Sequence, residues 1–253
     1  MELGKLIKKI DYKYKKHKFK NIQFDSKKCK KGDVFFAIKG NKFDGNKFID
    51  DAISRGAQTI VSSNKSDGKR ENVLFINSKN PRKLLTEAVS KIYNTNSLKI
   101  VAVTGTNGKS SISNFFFQIL KLCKLKVGSI GTLGVHDGNK LKSISNTTID
   151  PLSLGKILTK FKEKKIKNIV LEASSHGLKQ HRLDHLKFDI GIFTNLSHDH
   201  LDYHKNLEEY LNAKLYLFKN LIKNKGTVIT DLNIPQFKKL RKLVIKKKLK
   251  LLT

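Results

Sequence analysis

Apolar positions along this chain fall into short dense runs separated by amphipathic stretches, and the two spacings predict which segments are strands and which are helices. In the first ninety residues VFFAIKG at 34–40, QTIVSS at 58–63 and NVLFIN at 72–77 are apolar and β-branched enough for strands, with FIDDAISRGA between the first two. The stretch from Pro81 to Tyr93 reads as a helix opened by proline at an early position, and YNTNSLK at 93–99 as a polar connector. A small α/β domain over residues 1–95 is therefore expected.

From Lys99 onward the alternation is regular. Strands are predicted at KIVAVTG, KVGSIGT, NIVLEAS, FDIGIFTN and GTVIT, and helices from Lys109, from Pro151 and over NLEEYLNAKLYLFKNLI. Apolar runs this continuous predict a parallel sheet covered on both faces, a doubly wound nucleotide-binding fold over residues 96–253. A helix around PQFKKLRKLVIKKK and a strand at LKLLT follow GTVIT. A sheet that stops in mid-alternation leads to the expectation that sequence is missing after it. No internal repeat is visible.

Composition narrows the class. A hydrophobic fraction of 38% and the lack of any apolar run near twenty residues exclude a membrane-spanning helix. The N-terminus, with charges scattered through it, has no leader pattern, so a cytoplasmic protein is expected. Cys29 and Cys123 stand far apart with no CxxC spacing, which predicts two packing residues and neither a disulfide framework nor a zinc knuckle. The formal charge of +31, from 52 Lys+Arg against 21 Asp+Glu, raises nucleic-acid binding as a question. Its distribution answers it: lysines lie in nearly every segment, Trp is absent, and no basic stretch carries interleaved aromatics. Attraction of polyanionic substrates is what remains.

Strand VAVTG runs directly into TNGKSSISNFFFQIL. Glycines at a strand-to-helix turn let backbone N–H groups approach phosphate oxygens, the helix N-terminus favours negative charge, Lys109 can reach the β/γ-phosphates and Ser110 can bind magnesium. The spacing G-x-x-G-K-S is shorter than the usual phosphate loop, but the strand before and the helix after are the context such a loop requires. Glu172 stands near the carboxyl end of an apolar strand, the edge at which open α/β sheets bind ligands, so its carboxylate is a candidate for magnesium on ATP phosphates.

Six of the eight histidines lie between 176 and 204, and His198, Asp199, His200, Asp202 and His204 are packed into SHDHLDYH. Distant cysteines and the lack of H-E-x-x-H around His200 and His204 speak against zinc, and mixed His/Asp ligation of magnesium or manganese at a phosphoryl-transfer site is expected instead. Lys214 falls inside the apolar stripe of its helix, formed by Leu207, Tyr210, Leu211, Phe218, Leu221 and Ile222. Either it snorkels to solvent, or burial keeps it neutral enough to react, for instance with carbon dioxide to give a metal-binding carbamate.

TGTNGKSS at 104–111, NTTIDPLSL at 146–154, LEASSHGLKQHR at 171–182, FTNLSHDHLDYH at 193–204 and NAKLYLF at 212–218 together resemble the Mur ligase family, its MurE type in particular. FDSKKCKKGDVFFAIKGNKFDG at 24–45 is similar to that type's uridine-nucleotide-binding domain. The resemblance implies that Gly105, Thr106, Asn107, Gly108, Lys109, Ser110 and Ser111 hold the ATP phosphates, with Ser110, where the type usually has Thr, and Glu172 on one Mg2+. It implies His200 and Lys214, the latter as N6-carboxylysine, on a second Mg2+, with Lys109, Lys214 and His200 catalytic. Phe24, Ser26, Asn41, Lys42 and Phe43 would contact the UDP end of the substrate, and Asn146, Thr147, Thr148, Ser174, Gln180 and Arg182 its muramoyl-peptide end.

The implied reaction is ATP-dependent addition of meso-diaminopimelate or L-lysine to UDP-N-acetylmuramoyl-L-alanyl-D-glutamate through an acyl phosphate, in peptidoglycan precursor synthesis. A monomer is expected, with no nucleic-acid partner and no membrane insertion. The family's C-terminal domain has no counterpart here, so the chain alone is expected not to turn over. A folylpolyglutamate synthase-like ligase is the alternative with the same central fold; the N-terminal domain and SSHGLKQHR disfavour it. A basic nucleotide- or nucleic-acid-binding module is the non-enzyme alternative, distinguished by salt-dependent retention of RNA or DNA.

Overall fold

Strand residues that the sequence marks as apolar pair into two separate sheets, one in each of the units into which the chain divides, Met1–Ile92 and Tyr93–Thr253. The structure, a computed structural model, describes every residue except Lys9, Asn41, Lys42, Ser145 and Leu201. Two of the residues expected to contact UDP, Asn41 and Lys42, thus lie outside the described residues.

The first unit runs α1 (Leu3–Leu6), β1 (Ile22–Gln23), β2 (Asp33–Phe36), α2 (Ile49–Ser54), β3 (Ala57–Ser62), β4 (Gly68–Arg70), β5 (Val73–Asn77) and α3 (Pro81–Ile92). Its sheet has the order β1-β2-β3-β5-β4, parallel throughout except for β4 against β5. Cys29, Phe35, Ile49, Ala52, Ile60 and Phe75 share one core cluster. The apolar pattern overlooks β4 because GKR has no apolar residue; the strand is held by pairing with β5 and by the Arg70 guanidinium 5.1 Å over the Phe75 ring.

The second unit runs β6 (Lys99–Thr104), α4 (Lys109–Leu122), β7 (Val127–Gly131), β8 (Gly134–His136), β9 (Leu141–Lys142), α5 (Pro151–Glu163), β10 (Asn168–Glu172), α6 (Ser175–Lys179), β11 (Phe188–Phe193), α7 (Leu207–Tyr216), β12 (Ile222–Thr230), α8 (Phe237–Lys246) and β13 (Lys250–Leu252). The strand order is β13-β12-β11-β6-β10-β7-β8-β9, parallel from β13 to β7. The chain winds from β6 to β7, back to β10, then across β6 to β11, so the order reverses around β6. This is the doubly wound arrangement, and its carboxyl edge there is a topological switch point, where such sheets bind ligands.

Alternation along the strands assigns the two faces. Val101, Val103 and Val170 pack against Phe117 of α4, whereas Ile100, Ala102, Ile169 and Leu171 join the larger core with Leu154, Leu158 and Phe161 of α5, Leu211 and Leu215 of α7 and Leu240 and Val244 of α8. Among the described residues, one face is thus covered by α4 and the other by α5 to α8. Asp150 caps α5 by accepting from the Ser153 N–H, with Pro151 at the first helical position.

Three differences from the sequence reading have physical causes. The hairpin β8–β9 was not expected, because its outer strand is exposed and charged; it pairs antiparallel on β7 and forms the sheet's edge. The helix expected over 206–222 is α-helical only to Tyr216, then widens to a π turn over Leu217–Leu221, and Ile222 already opens β12. The widened turn seats Phe218 against β11 at Gly191, where a Cβ would lie 2.9 Å from the ring. Cys29 is buried as expected, but Cys123 is exposed: it follows the last turn of α4 on the side away from the sheet. No described helix is long and apolar enough to cross a membrane.

Leu158 is wholly buried in the larger core. We expect Leu158→Ala to lower unfolding stability by about 2–5 kcal/mol, through lost transfer energy plus a residual cavity, measured by urea denaturation; a loss below about 1 kcal/mol would contradict this packing.

Candidate functional site

The connection after β6 places the phosphate loop at the carboxyl edge. Gly105 has φ +147° and Gly108 φ +82°, a left-handed residue that opens α4. Both positions call for glycine, and at Gly105 a Cβ would also stand 1.8 Å from Thr194 Oγ1. The first N–H groups of α4, from Lys109 to Ser111, have no partner within the helix and point past its N-terminus.

The segment after β11 straps this loop down. Asn195 accepts the Thr106 N–H through its carbonyl (2.9 Å) and the Asn107 N–H through Oδ1 (2.9 Å), while Thr194 Oγ1 donates to the Asn107 carbonyl (2.6 Å). The Thr106 hydroxyl turns inward, accepting from the Ser197 N–H (3.1 Å) and sharing a hydrogen bond of 3.2 Å with Tyr210 OH. Sequence reading quoted FTNLSHDHLDYH but overlooked Thr194 and Asn195, whose only signal was polar residues at the end of an apolar strand.

Glu172 ends β10 beside the loop and is buried. Its carboxylate accepts from Ser110 Oγ (3.0 Å), the Thr132 N–H (2.9 Å) and Thr132 Oγ1 (3.1 Å), so Thr132 is a second residue that sequence reading overlooked. Thr132 in turn shares a hydrogen bond of 3.0 Å with Thr147. Thr148 Oγ1 donates to the Glu172 carbonyl (2.8 Å) and accepts from the Ser174 N–H (2.9 Å). Ser174 caps α6 by accepting from the Gly177 N–H. Arg182 donates to the Thr148 carbonyl (2.5 Å) and twice to Gln180 Oε1 (3.1 and 2.8 Å); Gln180 donates to Tyr203 OH (3.1 Å).

Lys214 is 1% exposed and does not snorkel. Its Nζ donates to the Gly105 carbonyl (2.6 Å) and lies 4.2 Å from the centre of the Tyr210 ring. Lys109 Nζ donates to the same carbonyl (3.0 Å) and to that of Thr106 (2.8 Å). Burial lowers the pKa of both amines; for Lys214 desolvation, reinforced by the Lys109 charge, brings it to about 7. His200 is half-exposed with φ +53°, its ring edge-on to that of His176 at 4.9 Å.

These pieces line one cavity of about 250 Å³, bounded by Thr106, Lys109, Ser110, Thr132, His200 and Lys214 together with Gly108, Thr147 and Ser174. Its charged lining is cationic, which suits a polyphosphate. The Ser110 hydroxyl and Glu172 carboxylate, 3.0 Å apart at its edge, are the oxygen donors that a hard divalent cation takes alongside phosphate and water. Among the described residues no three His, Cys, Asp or Glu side chains gather in metal-site geometry, so the mixed His/Asp ligation expected of SHDHLDYH is not assembled there. Asn146 stands in the segment leading to Thr147. In the first unit, Ser26 is buried at the start of a short turn, Phe24 is partly buried and Phe43 is exposed.

Comparison with known proteins adds the family. The Mur ligase middle-domain model matches residues 103–253, and the Mur ligase catalytic-domain model matches residues 18–93. A UDP-N-acetylmuramoyl-L-alanyl-D-glutamate--2,6-diaminopimelate ligase of Rickettsia montanensis is 42% identical over 227 residues, 88% of this chain and 47% of that protein. A solved structure of a ligase of the same name superposes with TM-score 0.84 at 27% identity, over all of this chain and 52% of the other. The bifunctional folylpolyglutamate synthase/dihydrofolate synthase of Yersinia pestis, solved with AMPPNP and Mn, reaches TM-score 0.53 at 18% identity over 68% of this chain, a likeness of fold alone. The chain spans about half the length of the curated relatives it matches.

The depressed Lys214 pKa fixes a pH dependence. The unfolded chain keeps this proton up to about 10.5 and the folded chain only up to about 7, so between these values the unfolded state binds more protons and stability rises with pH. Below pH 7 the full cost of burying the amine is present. We expect Lys214→Met to be more stable than the parent at pH 6, by on the order of a few kcal/mol at roughly 1.4 kcal/mol per pKa unit, in bicarbonate-free buffer, with the advantage shrinking as pH rises towards 10. Denaturant titrations across that range measure it, and a pH-independent difference would contradict the burial.

Proposed function

Because this chain belongs to the Mur ligase family, we propose that it forms the ATP- and UDP-substrate-binding part of a MurE-type ligase, which adds a diamino acid to UDP-N-acetylmuramoyl-L-alanyl-D-glutamate. One observation carries the reading: phosphate loop, Ser110–Glu172 pair and buried Lys214 meet at a single cationic cavity. The names of the relatives at about 40% identity favour diaminopimelate over L-lysine as the added residue. Dependence on ATP would put the reaction in the cytoplasm, and action as a monomer is part of this reading.

In this reading ATP supplies a γ-phosphoryl group to the D-glutamate side-chain carboxylate, and the amine then displaces phosphate from the acyl phosphate. The residues of the chain orient the groups and neutralise charge. The N–H groups of Lys109 to Ser111 and the Lys109 ammonium would receive the phosphate oxygens at the α4 N-terminus. Ser110 and Glu172 would hold one Mg2+, and His200 with carboxylated Lys214 a second, cations that offset negative charge on the phosphoryl oxygens. Carboxylation joins the neutral Lys214 nitrogen to the carbon of carbon dioxide and releases a proton, converting a buried amine into an anionic oxygen ligand. Thr147, Ser174, Gln180 and Arg182, with Asn146, would hold the muramoyl-peptide, with Thr148 framing them through its bonds to Glu172 and Ser174, and Phe24, Ser26 and Phe43 would hold the uridine end.

Calorimetry on the 253-residue chain tests this. The UDP-dipeptide substrate is expected to bind, and Lys109→Ala to weaken AMPPNP by roughly 10- to 150-fold, the worth of a charge-assisted hydrogen bond, with the circular dichroism unchanged. Unaltered AMPPNP affinity would overturn the phosphate-loop assignment, and no affinity for the UDP substrate the MurE reading. In 13C-bicarbonate at pH 8 the parent is expected to show a carbamate carbon resonance that Lys214→Gln lacks; identical spectra would remove Lys214 from the metal site.

A further inference from the structure

The turn that ends α6 departs from the usual residue choice at one position. The Arg182 N–H donates to the Gly177 carbonyl (2.9 Å) and the His181 N–H to that of Leu178 (3.1 Å), the two-bond closure of a helix whose next residue is left-handed. Glycine is the favoured residue there, yet the position holds His181 at φ +56°. Among the described residues, the other left-handed non-glycine residues are the three lysines Lys124, Lys165 and Lys248, together with Glu71, Lys225 and His200 of the cavity. A histidine there is strained relative to glycine, and its side chain makes contacts that glycine could not.

Those contacts form a tether. His181 Nδ1 lies 2.8 Å from Asp184 Oδ2 and 3.2 Å from Tyr216 OH, and Tyr216 OH donates to Asp184 Oδ2 (2.7 Å). The rings of His181 and Tyr216 meet edge to face with centres 5.4 Å apart. With Asp184 an acceptor, the Nδ1–H tautomer of His181 satisfies the triangle. Burial and the neighbouring carboxylate hold the Tyr216 hydroxyl above its usual range, so it stays a donor.

The placement of this triangle gives it a role. Gln180 and Arg182 flank His181, and their side chains run the other way, to Tyr203, to each other and to the Thr148 carbonyl. Tyr216 stands on α7 two residues beyond Lys214. We propose that His181, tied to Asp184 and Tyr216, is a positioning residue that sets Gln180 and Arg182 for the peptide end of the UDP-linked substrate and fixes them against the helix carrying Lys214. The inference rests on the reading of Gln180 and Arg182 as substrate contacts.

Three replacements at one position separate tether from backbone. Gly keeps the left-handed turn and loses the tether, Asn tolerates the turn and can still donate to Asp184, and Ala loses both. Calorimetry on the 253-residue chain with UDP-N-acetylmuramoyl-L-alanyl-D-glutamate, and separately with AMPPNP, is expected to show His181→Gly weakening the UDP substrate about tenfold. AMPPNP affinity should stay within about twofold, the melting midpoint of His181→Gly should not fall, and His181→Asn should recover most of the lost affinity. Tyr216→Phe should weaken the UDP substrate in the same selective way. Arg182→Ala is the control for the underlying reading: if it weakens the UDP substrate while His181→Gly does not, the positioning role is overturned, and if Arg182→Ala has no effect, the substrate-site reading falls and the inference with it. Equal losses for both ligands in His181→Gly would also overturn it, as a general structural defect.

Discussion

One backbone carbonyl organises the site. Gly105 O accepts both Lys214 Nζ at 2.6 Å and Lys109 Nζ at 3.0 Å, in a strand-to-loop turn that leaves no room for a side chain because Thr194 fills the space. Two amines on one neutral oxygen are a poor substitute for water. Asp199 raises both pKa values and Glu172 that of Lys109, but desolvation outweighs them, and Lys214 comes to about 7. The fold therefore stores an unmet demand for negative charge at the end of β6. A polyphosphate at the helix N-terminus would meet it from one side, and a carbamate on Lys214 from the other.

Much of this was legible in the sequence because it depended on local pattern. The strands from β6 to β13 on the parallel side, the phosphate loop and the intrusion of Lys214 into an apolar stripe are all readable from neighbours within a turn or two. What escaped depended on partners far along the chain. Thr132 acquires its place only because β7 lies beside β10, which brings its N–H and hydroxyl to Glu172 forty residues away. Thr194 and Asn195 meet the loop only because β11 pairs with β6. The π turn after Tyr216 answers to Gly191 on another strand, and nothing in LFKNL announces it. The exposed Cys123 shows the same limit, since a small apolar residue after a helix reads alike whichever way it faces.

Several predicted site residues prove to have their polar atoms committed to the protein. The Thr148 hydroxyl is spent on Glu172 and Ser174, while the Ser174 oxygen accepts at the cap of α6 and keeps its proton to donate. Such side chains act by holding the β10–α6 connection, so that Arg182, which grips the Thr148 carbonyl, and Glu172, whose own carbonyl Thr148 binds, share one rigid frame. The net worth of each bond is modest, roughly 1 kcal/mol, but leaving any of these buried groups unpaired costs more. The polar chain is accordingly a constraint on geometry more than a source of stability.

Packing explains why hydrogen bonds carry so much of the loop. On the side of α5 to α8 an extended apolar core buries α7, and with it Lys214, beside the bonds of Tyr210 and Tyr216. On the other face α4 stands alone, with Phe117 and Ser113 buried beneath it and Phe115, Ile119 and Leu122 exposed. Ile112, Phe116 and Leu120 add apolar contact on that face, but non-directional apolar contact does not fix the direction of the first N–H groups of the helix. Directional bonds do. Four of them, from Thr194, Asn195 and Ser197 to Thr106 and Asn107, tie the loop before α4 to the end of β11, the strand that pairs directly with β6. The Lys214 amine is thus placed by hydrophobic burial on one face of the sheet, and the first amides of α4, with Lys109 beside them, by polar straps at its edge, so that the two halves of the cavity are set by different forces against the same pair of strands.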